Sequence, residues 1–479
     1  MAWLKPKQWE PLSAIPIAAG IVWLFGGHGI AWWIFALVPG TLMLASGVSL
    51  LFWPGDLRHT EYLGAAAFVG MFAAIPEMIV GGFGIGALCL VLAIACFLVS
   101  GRLALAREPV AEGAPEPDRS IAMDAKVALD EALLGYFVGS ARIASGDATD
   151  RMIAETFKLE RSLEAGGWLS DPSTFHHAPP APLEVSATPR RLFGHDYQAL
   201  SWRSEFVAHA DLPGSQHWAN QKRNGQCAAW MLKHADGPRP WIVCIHGYRM
   251  GHAWMDFGLF PPGWLHERLG LNVLMPVLPA HGPRRIGARS GDFYLDGDLF
   301  NVVHAQTQAL WDLRSALRWI RAQEPNARIG VLGYSLGGYN ASLLGAFEDA
   351  LDFIVAGIPV IDFASALMRH LPPEHLRYLQ AQGLDEERYR RILQVISPLV
   401  HPARIAPERR YIFAGAGDRV VLPAHPIRLA KHWDVPVQWY QGAHLTFRRA
   451  PQVRAHIEAA MQRAGWPIEG RLGRAVGAA

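Results

Sequence analysis

Residues 327–345 read Ala-Arg-Ile-Gly-Val-Leu-Gly-Tyr-Ser-Leu-Gly-Gly-Tyr-Asn-Ala-Ser-Leu-Leu-Gly, an apolar strand followed by a Gly-x-Ser-x-Gly turn and a small-residue helix. Ser335 falls on the turn, where a sharp strand-to-helix reversal presents its hydroxyl at a sheet edge. Gly333 and Gly337 remove the side chains that would collide where strand and helix cross. The motif is short enough to arise by chance, so its surroundings have to carry the argument.

From about residue 192 onward, stretches of strand alternate with stretches of helix, which argues for a largely parallel sheet covered on both faces. Eight strands are expected, at 197–206, 226–232, 240–245, 272–277, 328–333, 352–358, 410–415 and 437–440. A helix over about 300–322, with Leu310, Leu313, Leu317 and Ile320 recurring on one face, provides the crossover into the strand before Ser335.

Three turns at strand ends bear chemistry. The strand 240–245 ends in His246-Gly247-Tyr248, a glycine-bearing turn that can direct the Tyr248 N–H into a crevice. With the N–H of Leu336, at the head of the helix after Ser335, it forms a candidate oxyanion hole. His246 is better read as holding the loop through hydrogen bonds than as a catalytic group. The strand 410–415 runs into Gly417-Asp418, where a carboxylate can fix an imidazole tautomer. The last strand leads into Gly442-Ala443-His444, and His444 is the strongest base candidate among the 20 histidines because it follows Ser335 and Asp418 in order. A fourth turn, Pro279 to Arg285, reads as structural at His281 and Gly282. Arg284 and Arg285 are candidates to meet an acidic substrate group.

The N-terminal third differs in kind. Residues 11–55 contain no Asp, Glu, Lys or Arg, and Glu77 is the only such residue between 62 and 101. Four apolar stretches, 10–26, 29–52, 62–79 and 81–101, extend far beyond the short core of a signal peptide and read as retained membrane spans. Lys5, Lys7, Arg58, Arg102 and Arg107 fall between or beside them, where the positive-inside tendency puts each on the cytoplasmic side. Glu77 reads as a helix-end or partner-facing carboxylate. Residues 108–120 form a Pro- and acid-rich linker, and amphipathic helices follow over 122–145 and 149–166. In 171–189, His176-His177 reads as a solvated pair.

Composition sets the remaining bounds. Hydrophobic residues make up 51% of the 479, above the level of a purely soluble chain, and the excess lies in the N-terminal block. The formal net charge of +2 and the dispersed arginines give no nucleic-acid signature. Cys89, Cys96, Cys227 and Cys244 lack metal-site spacing and read as small buried hydrophobes. No metal or organic cofactor is expected.

Taken in order, His246-Gly247-Tyr248, Gly333-Tyr334-Ser335-Leu336-Gly337-Gly338, Gly417-Asp418 and Gly442-Ala443-His444 resemble the landmarks of the α/β-hydrolase superfamily over about 192–465, nearest to its esterase and lipase-like members. The resemblance implies an α/β fold with a mostly parallel eight-stranded sheet and a small helical cap at about 359–409. It also implies a Ser335–His444–Asp418 triad and an oxyanion hole at Tyr248 and Leu336, supported by His246, Gly247, Gly333 and Gly337. The expected organisation is a membrane region at 1–107, a linker with helices at 108–191, the hydrolase domain at 192–465 and a tail at 466–479. The expected protein is an integral enzyme of a bacterial inner membrane with its catalytic part cytoplasmic. Its expected partners are the bilayer and a small acyl or lipid substrate, without nucleic acid; protein partners are not specified. A peptidase, a thioesterase, or a non-catalytic membrane scaffold retaining the fold are the alternatives.

Overall fold

The computed structural model describes residues 10–53, 56, 58–141, 144–182, 184–295 and 298–468. Lys5, Lys7 and the greater part of the expected tail lie outside them. Two compact units are present. One comprises Met1–Arg142 with Ala414–Ala424 and Trp439–Pro451, and the other Ile143–Phe413, His425–Gln438 and Gln452–Ala479.

The first unit is helical: α1 (Ala14–Phe25), α2 (Gly29–Phe52), α3 (Arg58–Val80), α4 (Phe83–Arg107) and α5 (Ile121–Ser140). Trp23, Trp32, Met43, Leu63, Cys89 and Phe97 are buried among them, while Phe35, Val38, Phe72, Ile79 and Val91 face outward. A bundle apolar inside and out is the pattern of a membrane span. Of the four expected spans, α2, α3 and α4 are long and apolar enough to cross a bilayer, and the apolar helix Pro11–Phe25 is shorter. At about 1.5 Å per residue it reaches roughly 22 Å, against a hydrocarbon core of about 30 Å. Ser120 caps α5 by accepting the Met123 N–H.

After α5 the chain continues through α6 (Asp147–Ala165), β1 (Ser186–Leu192), β2 (His195–Arg203), α7 (Ser215–Ala219), β3 (Gln226–Leu232), β4 (Trp241–Ile245) and α8 (Ala253–Leu259). Next come β5 (Asn272–Pro276), α9 (Leu299–Gln323), β6 (Ile329–Tyr334), α10 (Leu336–Leu344), β7 (Phe353–Gly357), α11 (Phe363–Arg369), α12 (Pro373–Ala381) and α13 (Glu386–Leu393). The last elements are β8 (Arg410–Gly415), α14 (Ala424–Trp433), β9 (Val437–Tyr440) and α15 (Pro451–Arg463). The helices α11 to α13 occupy the stretch expected to form the cap.

The sheet order is β1-β2-β3-β5-β4-β6-β7-β8-β9. The pairs β1–β2, β2–β3 and β3–β5 are antiparallel, whereas β5–β4, β4–β6, β6–β7 and β7–β8 are parallel. This mixed, mostly parallel sheet with flanking helices resembles the α/β-hydrolase fold. Among the described residues it has nine strands where eight were expected, and β1 is the addition. Six of its seven residues are exposed, so neither apolar alternation nor β-branched content marks it. A two-residue turn makes it a strand, with Phe193 at φ 51° and Gly194 at φ 84° pairing Leu192 with His195.

The helix α9 is buried over most of its length, wider than the one apolar face read from sequence. Its polar side chains are satisfied internally. Trp218 and Asn224 donate to Gln308 Oε1 (2.7 and 2.8 Å), Tyr294 donates to Gln306 Oε1 (2.6 Å), and Gln306 donates to Asn340 Oδ1 (2.7 Å).

Candidate functional site

Ser335 lies between β6 and α10 with φ 57° and ψ −115°, a backbone conformation that L side chains rarely adopt and that costs on the order of 1–3 kcal/mol. The surrounding backbone imposes it. The Ser335 N–H donates to the Gly357 carbonyl (2.9 Å), and the Ser335 carbonyl accepts the Tyr339 N–H (3.0 Å). A Cβ at Gly333 would lie 2.0 Å from the Gly337 carbonyl oxygen, and one at Gly337 would lie 1.9 Å from the Ile245 carbonyl oxygen. Both obstacles are main chain, so no rotamer change relieves them. Gly337→Ala is therefore expected to lower stability by about 3 kcal/mol or more, at or beyond the usual overpacking range. Thermal melting of the purified variant checks this, and a wild-type Tm would contradict it.

The turn after β4 lies in the same unit. His246 is buried, and both ring nitrogens are engaged: Nδ1–H donates to the Gly247 carbonyl (2.8 Å), and Nε2 accepts the Leu278 N–H (3.1 Å). Burial, opposed by Asp256, holds its pKa below the ordinary imidazole value. A neutral tautomer that ties two loops together is what these bonds require. A Cβ added at Gly247 would lie 3.7 Å from the Ser335 Cβ, which sets this turn against the serine turn. Tyr248 is half-buried within it. The N–H of Leu336 opens α10, where the first amides of a helix have no intrahelical acceptor.

The arginines of the fourth turn behave differently from one another. Arg284 is 1% exposed, and its guanidinium is spent on the Val277 and Asn224 carbonyls and on Asp312 (2.6 Å). The structure therefore removes Arg284 as a substrate contact: its charge is matched inside the fold. Arg285 is half-buried. His176, read as solvated, instead hydrogen-bonds through Nε2 to the Val395 carbonyl (2.8 Å). Among the described residues no three His, Cys, Asp or Glu side chains gather so as to hold a metal ion.

Asp418 and His444 lie in the other unit, on two loops stitched together by main chain. The Ala416 N–H donates to the Tyr440 carbonyl (3.0 Å) and the Gly417 N–H to the Gly442 carbonyl (2.9 Å). His444 Nδ1–H donates to Asp418 Oδ2 (2.8 Å), while Asp418 Oδ1 accepts the Val421 N–H (2.7 Å). Both side chains are buried. Burial alone would drive the imidazole toward neutrality. The Asp418 charge and hydrogen bond, joined by the charge of Asp130, outweigh it and hold His444 above its ordinary value.

Asp130 was not among the residues picked out by sequence. It projects from α5, is fully buried, and accepts main-chain N–H groups from Arg419 (3.0 Å), His444 (2.7 Å) and Leu445 (3.1 Å). Beside it, Glu131 accepts from the Arg419 side chain (3.3 Å), which also meets Glu108 (2.9 Å). The one available signal was positional. Val127, Asp130, Glu131 and Leu134 stand at i, i+3, i+4 and i+7, which places two acids on the apolar face of a helix.

No family model matches the chain. The uncharacterized protein MT2702 of Mycobacterium tuberculosis strain CDC 1551 / Oshkosh is 38% identical over 301 residues, which is 62% of this chain and 72% of that protein. The uncharacterized protein Rv2627c of strain H37Rv is 38% identical over 300 residues, with the same shares. Among solved structures, an acetyl xylan esterase from Paenibacillus sp. R4 matches with a TM-score of 0.42 at 14% identity, covering 62% of this chain and 92% of that one.

Proposed function

The chain belongs to the family that includes MT2702 and Rv2627c of Mycobacterium tuberculosis, and we propose that it is a membrane-anchored serine hydrolase that cleaves an acyl ester, with a lipid as the favoured substrate class. The observation that carries this reading is Ser335 held at φ 57° on a strand-to-helix turn whose glycines admit no Cβ. A fold that spends strain on a serine at a sheet edge favours a nucleophile.

In the proposed mechanism Ser335 Oγ attacks the acyl carbonyl carbon and His444 Nε2 takes the hydroxyl proton. Asp418, hydrogen-bonded to Nδ1–H, stabilises the imidazolium. The N–H groups of Tyr248 and Leu336 receive the oxyanion, with the Gly247 turn and His246 supporting that loop. Collapse expels the alcohol with the proton from His444. Water, deprotonated by the same imidazole, then releases the acid and restores Ser335. Every proton moves between the substrate, water and side chains of this chain.

Membrane anchoring through α2, α3 and α4 supports the lipid assignment, because partitioned acyl chains concentrate at the bilayer. Arg58 opens α3, and Arg102 and Arg107 close α4. An antiparallel pair of spans puts these ends on one side, and the positive-inside tendency makes that side cytoplasmic whether or not Pro11–Phe25 also crosses.

The test is the substrate profile of detergent-purified protein across p-nitrophenyl esters of short to long acyl chains, with matched thioester and anilide substrates. Ester hydrolysis favouring the longer chains is the expected outcome. A preference for the anilide would replace the ester reading with an amidase one.

A further inference from the structure

We infer that Asp130 is a positioning residue for the proposed hydrolysis, its buried carboxylate clamping the Asp418 and His444 loops together and adding a second negative charge beside the base. This rests on the serine hydrolase reading given above.

The geometry is specific to those loops. One oxygen of Asp130 receives the N–H of Arg419, the residue after Asp418, and also that of His444. The other oxygen receives the N–H of Leu445. Three amides from two separate loops, at Arg419 and at His444 and Leu445, thus converge on one carboxylate, at the positions that set the Asp418–His444 bond. The helix that delivers it is clamped in turn. A Cβ at Gly101 of α4 would lie 2.0 Å from the Asp124 carbonyl oxygen, and one at Gly135 of α5 would lie 2.4 Å from the Glu61 carbonyl oxygen. Further along, Lys126 donates to the Gln441 carbonyl (2.8 Å), and Gln441 Oε1 accepts the Asp118 N–H (3.0 Å). The linker and α5 therefore grip the His444 loop at several points, and Ala443 packs on Met123 and Val127.

Charge argues the same way. Burial, together with the negative Asp418, pushes the Asp130 carboxyl up to about 7, against the pull of His444 and the amides. Above that value Asp130 is ionised and two buried carboxylates flank one imidazole, which is unfavourable until that imidazole becomes a cation, and the proposed mechanism forms that cation in its first step. The charged and titratable groups that bear on Asp130 are Asp418, His444 and the Tyr440 phenol, while the neighbouring Glu131 and Glu108 are taken up by Arg419. Deleting the Asp130 charge leaves only Asp418 to hold the His444 proton. The imidazole then deprotonates at lower pH.

The experiment compares full-length wild type, Asp130→Asn, Asp130→Glu and S335A in detergent, with kcat and KM on a p-nitrophenyl ester measured across pH 5 to 9, a span that brackets an ordinary imidazole by about two units. Melting curves report folding. For D130N, kcat is expected to fall about 100-fold, the scale of a catalytic group displaced by about 1 Å, with KM nearly unchanged. Its acid limb should move down by about one pH unit, as for loss of a nearby opposite charge. D130E keeps the charge while displacing the carboxylate, so its kcat should fall with the acid limb in place, and it serves alone if D130N does not fold. Wild-type kcat in either folded variant overturns the proposal, as does a D130N loss with an unmoved acid limb, which marks a merely structural role. An active S335A overturns the hydrolase reading and this proposal with it, whereas an inactive S335A beside a fully active D130N overturns only the positioning role.

Discussion

Ser335→Ala is expected to abolish ester hydrolysis, with kcat falling by about 10⁴-fold or more, the scale seen when a nucleophilic serine is removed from such a site. What remains would be the contribution of oxyanion donors and binding, which this substitution leaves in place. The backbone strain at φ 57° belongs to the turn, and alanine meets it as serine does, so the variant should melt like wild type. That pairing makes the result interpretable: an inactive, normally folded S335A isolates the hydroxyl. A folded S335A retaining wild-type rates would remove Ser335 from the chemistry.

Asp418→Asn is expected to lower kcat by about 10⁴-fold through the wrong imidazole tautomer. An asparagine can keep the Val421 N–H bond through its own Oδ1, so the loop is retained. The other atom becomes an amide that donates toward Nδ1, which moves the proton to Nε2 and leaves no lone pair there to receive the serine proton. The pH profile separates this from a packing defect. In the wild type, His444 sits above the ordinary imidazole value, because Asp418 and then Asp130 outweigh burial. Activity that needs the neutral base is therefore lost as pH falls through that raised value, and the acid limb lies above the ordinary imidazole value. Removing the Asp418 charge lowers it. A D418N enzyme with reduced kcat and an unshifted acid limb would contradict this assignment.

The parts of the molecule legible in sequence are those written locally. The turn around Ser335 could be read because its constraint falls on neighbours: Gly333 and Gly337 meet main chain within about a turn or on the adjoining strand. The parallel strands β4 to β8 were legible because burial on both faces leaves near-continuous apolar runs such as Trp241–Ile245. β1 was not legible: an exposed edge strand is held by backbone bonds and a hairpin, and its Pro and Arg residues read as loop. The Asp130 clamp was hidden for another reason. Its partners lie 289 to 315 residues away in sequence, and acids on a helix name no partner until the loops that cover them are known. Arg284 misled in the opposite direction. An arginine pair in a turn reads as exposed, yet Asp312 on α9 draws one of them inside.

The most direct measurement is mass-spectrometric mapping of a fluorophosphonate probe on the natively folded, detergent-solubilised chain. A single adduct is expected on the peptide containing Ser335, absent from S335A and slowed in D418N. No adduct on folded protein, or equal labelling of S335A, would contradict the assignment of Ser335 as nucleophile and with it the hydrolase function.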